Sequence, residues 1–150
     1  MKVQSSNILK SVLRIDKLQT FISKFEQYKS SDEFGSYVFG KDGKYTPPFE
    51  LLNHVHIIPV FMDDPQYKQK LKEPEIKKTM DKWNKDWDNK SRKTSNRVLI
   101  YAKSGNEYLL IFILENAHET INSTEEKHKQ FFLWCNTIAE KFIDFGEIIA

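Results

Sequence analysis

Two histidines one residue apart open the run His-Val-His-Ile-Ile-Pro-Val at residues 54–60. Side chains alternate along an extended strand, so His54 and His56 share one face and Val55 takes the other, with the imidazoles roughly 6 to 7 Å apart. An imidazole exchanges protons near neutral pH, which suits a general acid or base. The same pair suits zinc, with His118 as third ligand if its segment comes close. The chain holds a single cysteine and no HExxH pattern, so the spacing of a zinc site is missing. No metal and no cofactor is expected.

His118 lies in Leu-Glu-Asn-Ala-His-Glu-Thr, just after a strongly apolar run, and Arg92 and Arg97 bracket Arg-Lys-Thr-Ser-Asn-Arg just before another. Cleavage of a phosphodiester by its neighbouring 2'-hydroxyl needs a base on the attacking oxygen, an acid on the leaving oxygen and cations around the phosphate. His54, His56 and His118 supply the proton carriers for that chemistry, and Arg92, Lys93, Thr94 and Arg97 supply phosphate-facing groups. A third group, Lys41, Asp42 and Tyr45, sits in Gly-Lys-Asp-Gly-Lys-Tyr, which lacks the spacing and closing Lys-Ser/Thr of a nucleotide-binding loop. Taken singly, each of these histidines also reads as an ordinary strand or loop residue.

The elements that must position these groups follow from periodicity. Val3, Ile8, Leu9, Val12 and Leu13 suggest a first strand somewhere in 3–13. Leu18, Phe21, Ile22, Phe25 and Tyr28 then follow helical spacing, with Asp16 and Gln19 as a capping box and an end near Lys29–Ser31. Residues 35–50 read as a short strand running into a mobile Gly- and Pro-rich loop that carries Lys41 to Tyr45. Residues 53–60 read as a strand, with Pro59 marking an edge or an end. Ile76, Met80, Trp83 and Trp87 form one narrow stripe on a helix from about Pro74 to Trp87; the two tryptophans serve either for docking or for stacking on bases.

Residues 97–103 and 107–115 are β-branched and aromatic runs separated by Ser-Gly-Asn, which predicts antiparallel neighbours, the second covered on both faces. Ser123, with Glu126 three residues on, predicts the cap of a last helix that buries Phe131, Cys135, Ile138 and Phe142. The class is α+β: three to five mostly antiparallel strands with helices packed on them. In this arrangement His54 or His56, His118 and Arg92 are expected to meet at an edge of the sheet, with one of the paired histidines carrying the proton and the other orienting it or holding the 41–45 loop.

Bulk properties agree with one domain over residues 1–150. Eleven Phe, six Tyr and three Trp exclude a disordered chain. The net charge is only +2, yet eleven basic residues stand against five acidic ones between Gln66 and Arg97, so one basic face for a polyanion or an acidic protein is expected. The lone Cys135, within an aromatic helical pattern, reads as a buried thiol in a reducing compartment. No secretory signal and no membrane-length apolar run is present in the sequence, so a cytoplasmic location and no membrane partner are expected.

Five pieces occur in an order and spacing that resemble one family: Phe-Gly-Lys-Asp-Gly-Lys-Tyr, His-Val-His-Ile, Arg-Lys-Thr-Ser-Asn-Arg-Val-Leu-Ile-Tyr-Ala, Glu-Tyr-Leu-Leu-Ile-Phe-Ile-Leu-Glu-Asn-Ala-His-Glu, and Ala-Glu-Lys-Phe. Over about residues 8–143 the chain resembles the YafO family of bacterial toxins from type II toxin-antitoxin pairs. The resemblance implies a compact RelE/ParE-like α+β fold and a metal-independent, ribosome-dependent mRNA interferase that cuts translated message and is silenced by a cognate antitoxin. By motif, the family's functional pieces fall on Gly40, Lys41, Asp42 and Tyr45, on His54 and His56, on Arg92, Thr94 and Ser95, and on Ala117 and His118. The chain departs from the pattern in the extra Lys93 and in a lysine-rich insertion at about 63–91. The competing expectation is a non-enzymatic module that binds nucleic acid or protein, in which the histidines are replaceable.

Overall fold

In the computed structural model, which describes residues 1–30 and 35–150, the elements run β1 (Lys2–Ser5), α1 (Asn7–Val12), α2 (Ile15–Ser30), β2 (Phe39–Lys44), β3 (Asn53–Ile57), α3 (Tyr67–Lys70), α4 (Pro74–Asp88), β4 (Val98–Ser104), β5 (Glu107–Leu114), α5 (Ala117–Ile121) and α6 (Glu126–Phe145). The five strands form one sheet in the order β1-β5-β4-β3-β2. The β4–β5 hairpin turns at Gly105, whose φ of +60° is open to a residue without a Cβ. Every neighbouring pair is antiparallel except β1 with β5, which are parallel because helices α1 and α2 and most of the chain lie between them. Among the described residues, six helices on a five-stranded sheet match the small RelE/ParE-like α+β fold.

Two apolar layers explain why β4 and β5 read as continuous apolar runs. On one face Leu18, Phe21, Phe25 and Tyr28 of α2 pack on Phe39, Val55, Ile57, Leu99, Tyr101 and Leu110. On the other, Phe132, Cys135, Ile138, Ala139 and Phe142 of α6 pack on Leu52, Val98, Ile100, Ala102, Leu109 and Ile111. Each fully buried ring or branched chain contributes on the order of 1.5 to 3 kcal/mol, so the central strands are clamped by both helices. A third cluster of Ile58, Val60, Met80 and Trp83 docks α4, and the Trp83 indole donates to the Tyr37 carbonyl at 2.8 Å. Trp83 is therefore packed rather than presented to bases, and the Trp87 ring sits edge-on to Tyr37.

Several local expectations are corrected. Of the 3–13 segment only residues 3–5 are strand, within β1; the Ser6 hydroxyl then accepts the Leu9 N–H and starts α1 instead. Asp16 lies inside the first turn of α2, where a carboxylate meets the positive end of the helix dipole, and is not the capping residue. The expected end of that helix is found at Ser30, while Ser31 lies outside the described residues. Helix α6 is preceded by Glu125, and the Ser123 hydroxyl accepts the Glu125 N–H in the turn before it. The buried ring at its start is Phe132, with Phe131 half-buried beside it. Residues 40–44 belong to strand β2, not to a mobile loop: Asp42, Gly43 and Lys44 pair with β3, and Gly40 and Lys41 fall in a bulge between paired positions.

Candidate functional site

Strand β3 lies inside the sheet between β2 and β4, and its alternation does what the period of two requires. Val55 turns into the α2 layer, while His54 and His56 pair with Ile100 and Val98 of the α6 layer. Their ring centres are 5.9 Å apart. The Tyr45 ring stacks on His54 at 4.2 Å and meets Phe132 of α6 at 5.4 Å, so His54 sits beneath an aromatic cover. His54 Nδ1 is buried without a hydrogen-bond partner among the described residues.

His56 is held differently. Its Nδ1 lies 2.6 Å from the Ser95 carbonyl oxygen and 3.1 Å from the Ser95 nitrogen. With the proton on Nδ1 the ring donates to the Ser95 carbonyl and Nε2 is free to accept a proton; in the other tautomer Nδ1 accepts from the Ser95 N–H. The Ser95 hydroxyl donates to the Ile57 carbonyl at 2.6 Å and thereby ties residues 94–96 to the end of β3. Burial lowers the His56 pKa first of all; the bond to Ser95 opposes the shift, and the cations Lys41 and Lys82 add to it. Burial, His56 and Lys41 lower His54 to about 4, against a smaller opposing effect of Asp42.

That depression couples His54 to stability. Between about 4 and the ordinary 6.5, the unfolded chain binds a proton that the folded chain refuses. The contribution of a neutral His54 is therefore complete above pH 6.5 and is lost as the pH falls toward 4. Urea midpoints are expected to decline from pH 7 to pH 4.5 less steeply in His54→Gln than in the wild type. Equal slopes would show that His54 titrates alike in both states.

The other expected site residues are distributed unevenly. Lys41 is exposed on β2, and its backbone N–H donates to the Lys93 carbonyl at 2.8 Å. Gly40 fits against that carbonyl only because it lacks a side chain, since a Cβ there would lie 2.1 Å from the oxygen. Lys93 itself is fully buried, its ammonium 5.6 and 5.0 Å from the rings of Trp83 and Trp87, so it supports the segment from within and does not face outward. Thr94 Oγ1 accepts from Lys82 at 3.3 Å, and Arg92 is exposed on the same segment.

Asp42 pairs with Val55 and so faces the α2 layer, opposite to the histidines. There it forms an ion pair with Lys29 and accepts from the Tyr101 hydroxyl at 2.8 Å. Arg97 is also engaged in the fold: it pairs with Glu115 at 2.7 Å, donates to the Ile58 carbonyl at 3.2 Å and packs on Phe61. His118 lies in α5 at the same end of the sheet as His56, since His56, Val98 and Leu114 form one row. The Asn96 side chain accepts the His118 backbone N–H at 2.8 Å, and the His118 ring meets Asn122 of its own helix at 3.4 Å. Its backbone thus approaches the Ser95–Asn96 support, whereas the recorded ring contact is not with the histidine pair.

Two participants in this arrangement escaped the sequence reading. Asn96 caps α5 from another segment, which no local capping pattern announces. Lys82 was hidden within a lysine-rich run; the stripe through Trp83 fixes its helical phase but not the strand beside it. Cys135 is buried, and burial pushes its thiol up to about 12, which removes it as a nucleophile. Among the described residues no group of three or more His, Cys, Asp or Glu is placed to hold a metal ion, and no helix is long and apolar enough to cross a membrane.

Comparison with known proteins places this geometry in a lineage. No curated protein and no solved structure matches the chain. The family model described as toxin YafO, type II toxin-antitoxin system, matches residues 26–144, which include the His54–His56 pair, the 92–97 segment, α4, α5 and all but the last residue of α6. With strands β2 to β5, its histidine pair and most of its length inside that match, the chain belongs to the YafO family of type II toxins.

Proposed function

We propose that this toxin is a ribosome-dependent mRNA endoribonuclease, acting in the cytoplasm without a metal and silenced by a cognate antitoxin. The observation that carries the reading is His56. It is a neutral imidazole with Nδ1 fixed on Ser95, and exposed Lys41 and Lys82 are the cations that act on it. His56 Nε2 removes the proton from a ribose 2'-hydroxyl; the oxygen attacks the adjacent phosphorus, and the bond to the 5'-oxygen breaks. The products are a 2',3'-cyclic phosphate and a 5'-hydroxyl. The leaving oxygen takes its proton from an acid, for which His118 is the candidate at that end of the sheet. Arg92 and Lys41 face the phosphates, and Thr94 holds Lys82 beside them.

Tyr45 and His54 form the floor under this reaction in the same reading, since the stacked pair supports the proton carrier beside it. Asp42, Lys93 and Arg97, which the sequence grouped with RNA contacts, support the frame through their buried and paired positions. A shelf of this kind suits an enzyme whose message is presented by the ribosome.

Induction of the chain alone in bacterial cells is expected to stop growth and translation, with cuts in translated messages and little cutting of the same RNA free of ribosomes. Co-expression of the antitoxin is expected to restore growth. Unchanged growth at verified soluble expression would overturn the proposal. Arrest that persists when His56 is replaced, with no cut messages, would favour the non-enzymatic binding module.

A further inference from the structure

Residues 94 and 95 are touched from two directions. Ser95 holds the His56 ring, and Thr94 accepts from the Lys82 ammonium of α4 at 3.3 Å. Lys82 also donates to Asp86 one helical turn on at 2.7 Å, so two of its three donors are used and its position is set. On the opposite flank β2 carries a bulge. Phe39 pairs with Ile57 and Asp42 with Val55, which leaves Gly40 and Lys41 together opposite His56. Such bulges re-aim a side chain next to a site, and the Lys41 N–H bond to Lys93 ties this one to the 92–95 segment.

His56 is therefore flanked by one lysine from the edge strand and one from the helix. The structure assigns Lys41 and Lys82 as the two arms of an anion subsite over His56, which takes a single phosphate of a single-stranded RNA. This deepens the reading of His56 as the proton carrier and rests on it. It also gives α4 a role in the site: its buried face docks on Ile58 and Val60, and its flank delivers Lys82. Asp86 and Thr94 hold the ammonium before the ligand arrives, which reduces the side-chain entropy lost on binding. The charged and titratable groups that act on His56 include Lys41 from β2 and Lys82 from α4, with His54 beside it on its own strand.

The test uses the full chain and inorganic phosphate at constant ionic strength, with the His56 ring followed by NMR across a pH titration. Phosphate is expected to raise the wild-type His56 pKa by about half a unit or more, since a nearby anion favours the imidazolium. In Lys82→Ala the pKa without phosphate starts higher and the response to phosphate falls at least about threefold, whereas Lys82→Arg retains it. Lys78→Ala, which alters an exposed lysine of the same helix, is expected to behave as the wild type. On programmed ribosomes Lys82→Ala is expected to lose about ten- to a hundred-fold in cleavage, recovered by Lys82→Arg, in line with one charge-assisted contact. A wild-type His56 that ignores phosphate, or a Lys82→Ala chain that answers it fully, overturns the subsite. If no chain, the wild type included, cuts message, the proposed function fails while the phosphate response still decides the subsite.

Discussion

Replacing His56 by glutamine is expected to lower message cleavage on programmed ribosomes by about 10²-fold or more, the usual loss when a positioned proton carrier is removed. Glutamine keeps a polar group near Ser95, so the chain should fold as before, and circular dichroism checks this. The pH profile makes the test specific. Burial and the neighbouring lysines lower the His56 pKa below the ordinary 6.5, so the ring is neutral at pH 7 and ready to accept a proton. Wild-type kcat/KM should therefore rise with pH through a limb below 6.5, and that limb should vanish in His56→Gln. His54→Gln should lose less, because His54 is lowered to about 4, has a buried Nδ1 without a partner among the described residues and supports the stack with Tyr45. A folded His56→Gln chain that cuts at near wild-type rate would sink the assignment.

Asp42→Ala is expected to destabilise the fold by about 1 to 3 kcal/mol, the cost of leaving a half-buried charge without its partner. The Asp42 and Lys29 side chains are 17% and 18% exposed, so solvent does little to compensate. The Lys29 ammonium also donates to the Tyr101 hydroxyl at 2.8 Å and lies 5.0 to 5.8 Å from the rings of Phe25, Tyr28, Tyr101 and Tyr108. Removing the carboxylate leaves that cation among rings and one hydroxyl, and it loosens β2 from α2. Replacing both partners, Lys29→Met with Asp42→Leu, should cost far less, because no charge is then left buried. Urea unfolding at unchanged m measures both. A loss below about 1 kcal/mol in Asp42→Ala would show that the pair is solvated in solution.

Loosening β2 should also reach the site, since Asp42 is the next residue after Lys41 and Gly43 pairs with His54. The Asp42 variant is thus expected to weaken cleavage through the frame, although Asp42 itself lies on the far face from the histidines. This distinction separates it from Lys41, whose exposed ammonium belongs to the histidine side.

The sequence by itself determined whatever a local period controls. A period of two put His54 and His56 on one face, and the short Ser-Gly-Asn turn made β4 and β5 antiparallel neighbours. The 3.6-residue period marked the buried faces of α2 and α4 and most of that of α6, because apolar spacing within one helix needs no knowledge of the rest. Gly40, Gly43 and the following Pro47-Pro48 misled at 40–44, where loop composition conceals an edge strand whose bulge sets Gly40 against a distant carbonyl. Only the tertiary structure decided that Lys93 turns inward onto Trp83 and Trp87, that Asp42 meets Lys29, and that Lys82 comes to Thr94 beside His56. Each of those outcomes depends on which face of the sheet a segment crosses after a long connection. That choice is made by the packing of all the apolar layers together and leaves no local period to read.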